Sequence, residues 1–156
     1  MPIYMKVEGI DGPVTGRYKD YIELQRAYIN SSRVSSARGA DNRGSSSTTI
    51  HSINIVKSAD STSAFLMNEV LSGSTKKVKI IFVATADPPA DPYLRYDLEG
   101  AMFSSYNTGD AQDENKVPKE MITITFQNVV FTSKAGPVDQ TGTRTSTHDA
   151  GVTQNN

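Results

Sequence analysis

From Ile3 to Glu8 apolar and polar side chains alternate: Ile3, Met5 and Val7 share one face, while Tyr4, Lys6 and Glu8 share the other. A period of two is that of a strand with one dry and one wet side. The segment "GIDGPVTG" then turns the chain, because Gly9, Gly12 and Gly16 tolerate positive φ and Pro13 interrupts pairing. Residues 20–29 set Ile22 and Leu24 against Glu23 and Gln25 and predict a second strand, paired with the first. Residues 30–48 hold Val34, Ala37, Ala40 and otherwise polar or glycine positions. That is too little apolar surface to offset the entropy of ordering, so a long mobile loop is predicted, a candidate for partner contact.

Strand character resumes over 49–57 through Ile50, Ile53, Ile55 and Val56. A short helix, about 61–72, follows. Asp60 or Ser61 stands at its N-cap, Ala64, Met67, Val70 and Leu71 with Leu66 supply one apolar face, and Gly73 occupies the left-handed C-terminal position. Residues 75–86 predict a strand with Val78, Ile80 and Phe82 on its dry side, ended by the prolines of "DPPADP". In 93–106, Leu94, Tyr96 and Leu98 alternate with Arg95, Asp97 and Glu99; Gly100 then shifts the phase to Ala101 and Phe103, as a β-bulge would. After a charged turn at 107–119, the strand 120–134 puts Ile122, Ile124, Phe126 and Val130 on one side and Thr123, Thr125 and Gln127 on the other.

These elements predict a mainly β domain over residues 1–134. Its fold class is an antiparallel β-barrel or sandwich of about six or more strands flanked by one short α-helix that plugs an open end or seam. Residues 135–156 have almost nothing to bury and predict a flexible tail.

Composition narrows the function. At 156 residues the chain fits one domain. With 16 Lys and Arg against 17 Asp and Glu, it offers no basic field for nucleic acid or anionic lipid. The absence of cysteine removes disulfides, thiolate catalysis and Cys-based zinc sites. No apolar run approaches the ~20 residues of a membrane span. The opening "MPIYMKVEGIDG" has no basic n-region or apolar h-region, so any export is expected to use a route without a cleavable leader.

The residues offer no catalytic constellation. The two histidines, His51 in a strand and His148 in the tail, have no nucleophile-elbow sequence to work with, and Ser52 and Ser58 near His51 do not supply one. Asp87, Asp91, Asp110, Asp113 and Glu114 lie in turns without the ligand spacing of a calcium loop. No glycine-rich phosphate loop opens a helix. The expectation is a protein without enzymatic activity, cofactor or metal.

Taken in order, "IYMKVEGIDGPVTG", "DYIELQRAYI", "IHSINIVKSADSTSAFLMNEVLSG", "YDLEGAMFSSY" and "VPKEMITITFQNVVFT" resemble the haemolysin-coregulated protein (Hcp) family, the tube component of the bacterial type VI secretion system. The similarity runs from Pro2 to about Ser133. It implies a barrel subunit that assembles into hexameric rings, which stack into a hollow tube able to carry small effector proteins. It also implies a contractile sheath and a spike protein as partners, and a protein that is cytoplasmic during assembly and then secreted.

On that reading, exposed strand edges are completed by the next protomer through a heterologous contact. The 30–48 loop is expected to reach the adjacent ring, with Arg33, Arg38, Asp41 and Arg43 making salt-sensitive contacts, and Thr123, Thr125 and Gln127 are expected to face the lumen. The rival reading is a secreted monomeric β-sandwich that binds carbohydrate, with Tyr93, Tyr96 and Tyr106 as stacking surfaces.

Overall fold

The computed structural model describes residues 1–34, 47–85, 91–134 and 143–149. In chain order its elements are β1 (Ile3–Val7), a 3-10 turn (Gly16–Tyr18), β2 (Ile22–Leu24), β3 (Arg26–Val34), β4 (Ser47–Ser58), α1 (Ser63–Ser72), β5 (Lys76–Val83), β6 (Pro92–Gln112), β7 (Pro118–Thr125), β8 (Asn128–Lys134) and β9 (Thr143–Asp149). All the described strand pairs are antiparallel. The main path runs β2-β1-β5-β6-β7-β4-β3, with β8 on β6 and β9 on β8.

Two features bend this path into a barrel-like body. The first is the long strand β6. Its first half pairs with β5, its second half with β7, and the shift falls at a bulge where Val78↔Leu98 gives way to Lys76↔Ala101. Gly100 sits there with φ +59°, a conformation that side chains with a Cβ resist, and the side chain of Gln127 lies directly over it. The second is Gln25, the single residue between β2 and β3. Its N–H donates to Val56 O at 2.8 Å, so the chain itself crosses the seam between the two ends of the path.

The inward face of each strand feeds one core. Met5, Ile22, Ile80 and Leu98 come from one side of the barrel, and Ile53, Ile55, Ile122 and Ile124 from the other, all fully or almost fully buried. Each such side chain contributes roughly 1.5–3 kcal/mol on leaving water. A smaller cluster of Tyr18, Ile81 and Val83, flanked by Tyr4 and Tyr21, covers part of the outer side of β1 and β5. β5 is therefore dry on both faces over its second half, where the sequence pattern shows only one.

The loop expected over 30–48 is shorter, because β3 runs to Val34 and β4 begins at Ser47, paired as Val34↔Ser47. Main-chain hydrogen bonds hold these polar residues in a hairpin without needing apolar side chains. The charged turn contracts to residues 113–117, since β6 continues to Gln112 and β7 starts at Pro118. The strand expected at 120–134 divides at Phe126–Gln127, opposite the Gly100 bulge, which puts Val129 rather than Val130 in the core. Within the expected flexible tail, Thr143–Asp149 form β9, paired from Asn128↔Asp149 to Lys134↔Thr143. The free edge of β8 has a row of unpaired amides and carbonyls, and a polar segment completes it as well as an apolar one.

The largest correction concerns α1. Thr62 precedes its first turn, and the Asp60 carboxylate accepts from Thr62 N–H at 2.8 Å and from the Thr62 hydroxyl. Gly73 closes the helix with φ +65°. The Gly73 end is as the sequence implies, but the N-cap is Thr62 rather than Asp60 or Ser61, and the buried face differs too. Leu66 alone is buried, with Val70 partly covered, while Ala64, Phe65, Met67 and Leu71 face outward. The helix packs on β6 through one edge of its surface and leaves most of its apolar stripe uncovered.

Candidate functional site

The two sides of the barrel meet in the core, so their outer faces point in opposite directions, and these faces differ in chemistry. Outward positions alternate with the buried ones along each strand. On the side built from β3, β4, β7 and the second half of β6, the register aligns Tyr28 with Asn54 and Asn54 with Thr123, and aligns Met102 with Thr125. Thr123 donates its hydroxyl proton to Asn54 Oδ1 at 2.8 Å, and Ser104 donates to Thr123 O at 3.2 Å. Tyr28, Met102 and Met121 are exposed between these small polar groups. Arg26 and Lys119 stand at one end.

The opposite face, on β1, β5 and the first half of β6, carries charge. Lys6 lies beside Lys79 and Lys79 beside Asp97 in the register. Lys6 pairs with Asp11 at 2.9 Å, and Arg95 holds Asp97 through two guanidinium hydrogen bonds of 2.5 and 2.9 Å. That hydrogen bonding raises the Arg95 pKa above its already high ordinary value. A shallow groove on this face is bordered by Lys6, Glu8, Lys77, Lys79 and Glu99.

The residues singled out from the sequence distribute unevenly. Thr123 and Thr125 lie two residues apart on the side built from β3, β4 and β7, among small polar groups. Gln127 lies beyond the end of β7 with its side chain over Gly100. Arg33 belongs to β3, opposite Thr48, and Arg38, Asp41 and Arg43 lie outside the described residues.

Of the three tyrosines offered for sugar stacking, Tyr93 lies near the start of β6 and the other two are engaged with neighbouring side chains. Tyr96 stacks on Phe131 with ring centroids 4.8 Å apart, and its hydroxyl pKa is raised by burial. Tyr106 donates to the Glu120 carboxylate. Of the acidic turn residues, Asp91 pairs with Arg17, and Asp113 caps the 113–117 turn by accepting from the N–H groups of Asn115 and Val117, both at 2.9 Å. The Ser58 hydroxyl also donates to Asp113 at 2.7 Å, and this bond is the main reason its pKa is lowered from 3.8. Asp87 lies outside the described residues, among which no group of His, Asp or Glu is arranged to hold a metal.

Sequence reasoning missed a buried polar cluster beneath the start of α1. Lys57, with a side chain 0% exposed, places its ammonium 2.7 Å from Glu120, 3.1 Å from Asp60 and 2.9 Å from Ser58 O. Glu120 is itself buried and accepts from Tyr106. The signal was available: Lys57 continues the inward row of Ile53 and Ile55, and Glu120 that of Ile122 and Ile124. Two opposite charges on adjacent dry faces imply a buried pair. The cluster ties β4, β6, β7 and α1 together, and all its groups are satisfied.

Comparison with known proteins follows the same outline. Hcp1 from Salmonella typhimurium superposes with a TM-score of 0.74 at 18% identity, covering 96% of this chain and 94% of that one. A structure described as a type six secretion system protein gives a TM-score of 0.82 at 17% identity, with 95% and 94% coverage. The secreted protein Hcp3 from Pseudomonas aeruginosa gives 0.65 at 18% identity, with 95% and 99% coverage. At these identities the likeness establishes the fold. No curated protein sequence matches the chain. No helix among the described residues is long and apolar enough to cross a membrane. The family model described as "Type VI secretion system effector, Hcp" matches residues 4–132, and the chain therefore belongs to the Hcp family.

Proposed function

We propose that the chain is the structural subunit of a type VI secretion inner tube. Copies close into hexameric rings, the rings stack, and the tube is assembled in the cytoplasm and exported with small effectors in its lumen, in company with a sheath and a spike. The observation that carries this reading is the contrast between the two outer faces. A subunit of a hollow cylinder needs one surface that meets bulk solvent and another that borders an enclosed space. The charged side around Lys6, Lys79 and Asp97 suits the outside, and the side whose centre carries the small polar groups of Asn54, Thr123 and Thr125 suits the lumen, with Gln127 at its margin.

Self-association has further support in the exposed apolar surface of α1, where Phe65 is 61% and Leu71 74% exposed. Such patches mark contact surfaces. A lasting ring contact needs on the order of 2,000 Å² of buried area, more than this patch alone supplies, so strand edges take part as well. Between rings, the connection carrying Arg33, Arg38, Asp41 and Arg43 makes the contact, and deleting residues 35–45 leaves rings but abolishes stacks.

Because the chain has no cysteine, single-cysteine labelling tests the face assignment directly. In assembled tubes, Thr123→Cys should react with a small maleimide but not with a maleimide-coated particle wider than the central hole. Lys79→Cys should react with both. Equal reaction of Thr123→Cys with the particle would show that this face is not the lumen.

A further inference from the structure

α1 carries more apolar surface than it buries. Leu66 points into the core and Val70 packs partly against it, whereas Met67, Leu71 and Ala64, which stand about 100–160° further round the helix, face outward. Apolar burial alone favours the other rotation, with the larger stripe turned toward β6, the strand on which the helix packs. A different kind of contact therefore holds Leu66 inward.

Two sets of polar contacts meet at the first turn. The first set is local: the Asp60 carboxylate accepts from the N–H and the hydroxyl of Thr62, and Ser63 Oγ accepts from Asp60 N–H at 2.9 Å. These bonds start a helix but leave its rotation open, because every partner belongs to the same turn. The second set ties that turn to the sheet. The Lys57 ammonium lies 3.1 Å from Asp60 and 3.5 Å from Ser63 Oγ on one side, and 2.7 Å from Glu120 of β7 and 2.9 Å from Ser58 O on the other. Ala59 N–H donates to Pro118 O at 2.9 Å and draws the linker along the same line. Lys57 and Glu120 are both buried, and a desolvated ammonium keeps its partners because leaving them strands a charge. At the far end the helix is tied by Glu69 and Lys76, 3.6 Å apart.

We propose that Lys57 is a positioning residue for the surface of α1: by fastening the Asp60–Ser63 turn to Glu120, it holds Leu66 inward and keeps Met67 and Leu71 outside. A charge cluster that is itself beyond the reach of any partner thus decides which side chains are available for assembly. The consequence for assembly rests on the tube reading, whereas the orientation of the helix is a property of the single chain.

Leu71→Cys gives the chain its single thiol. Its reaction with a small maleimide is followed in dilute, unassembled protein, with Lys57 in place and in the Lys57→Met/Glu120→Gln background. That background removes both buried charges while leaving Tyr106 an acceptor and Asp60 its cap. Loss of the cluster should slow labelling about tenfold, as when about nine in ten helices turn Leu71 inward. Asp60→Asn keeps the capping oxygen and loses the charge facing Lys57; it should slow labelling in the same direction and serves if the double variant does not fold. An unchanged rate in a folded variant would overturn the proposal. So would a faster one, because a helix that merely detaches exposes Leu71 further. With Leu71 restored, the Lys57→Met/Glu120→Gln chain should form no rings at concentrations where wild type does, and rings at the wild-type level would also overturn the proposal. Wild type without rings would remove the tube reading and leave the labelling result standing.

Discussion

Lys57 shows how far one side chain departs from its usual place. Its ammonium has left water entirely, and only the geometry of Glu120, Asp60 and the Ser58 carbonyl makes this tolerable. Removing one partner of such a pair strands the other, which costs about 3–5 kcal/mol. Lys57→Met should lower stability to urea by that amount, and Lys57→Met combined with Glu120→Gln should cost less than the sum of the two single changes, because no buried charge is left alone. Asp113 makes a smaller, pH-dependent contribution. Its pKa is depressed on folding, so its stabilisation is complete above the unfolded value of 3.8 and is lost as pH falls through the lower folded value. Asp113→Asn should therefore be less stable than wild type at pH 7, and urea midpoints should converge as the pH drops below 3.8.

At the scale of elements, the helix was visible in the sequence and its orientation was not. The expected core-facing stripe was Ala64, Met67, Val70 and Leu71 with Leu66, yet only Leu66 and, in part, Val70 turn inward. The reason is the anchoring of the first turn: Ser63 Oγ accepts from Asp60 N–H at 2.9 Å, and Lys57 holds Asp60, which together fix the rotation of the helix before its apolar residues are placed. Leu66→Ala should cost about 2–5 kcal/mol in thermal or denaturant unfolding, as for a filled core site. Leu71→Ser should change the stability of the unassembled chain by no more than about 0.5 kcal/mol, while weakening assembly. The strands were easier to read. β1 follows its alternation residue by residue, and the Gly100 bulge appears where the phase of the pattern shifts.

For the whole molecule, the contrast between the outer faces lies in Lys6, Lys79 and Asp97 on one side and Asn54, Thr123 and Thr125 on the other. Rings built on apolar area and strand edges should persist on dilution to nanomolar concentration, whereas stacks held by arginine contacts should dissociate between about 0.05 and 0.5 M salt. Analytical ultracentrifugation at several salt concentrations checks both. Loss of rings before loss of stacks would mean that the two contacts have been assigned the wrong way round.

The sequence by itself determined local periods: which residues of β1 turn inward, that Ile122 and Ile124 share the dry side of β7, and where Gly73 ends α1 and Gly100 shifts the phase of β6. The ordered motifs also pointed to the family to which the chain belongs. Only the tertiary structure decided what depends on distant neighbours. It extended the β3–β4 hairpin through polar residues, recruited Thr143–Asp149 to the edge of β8, buried Lys57 against Glu120 and set the rotation of α1. The physical reason is the same in each case. Side-chain periodicity reports solvent exposure along one strand or helix, whereas main-chain hydrogen bonding across an edge and charge pairing in the core are settled by a partner far away in the chain.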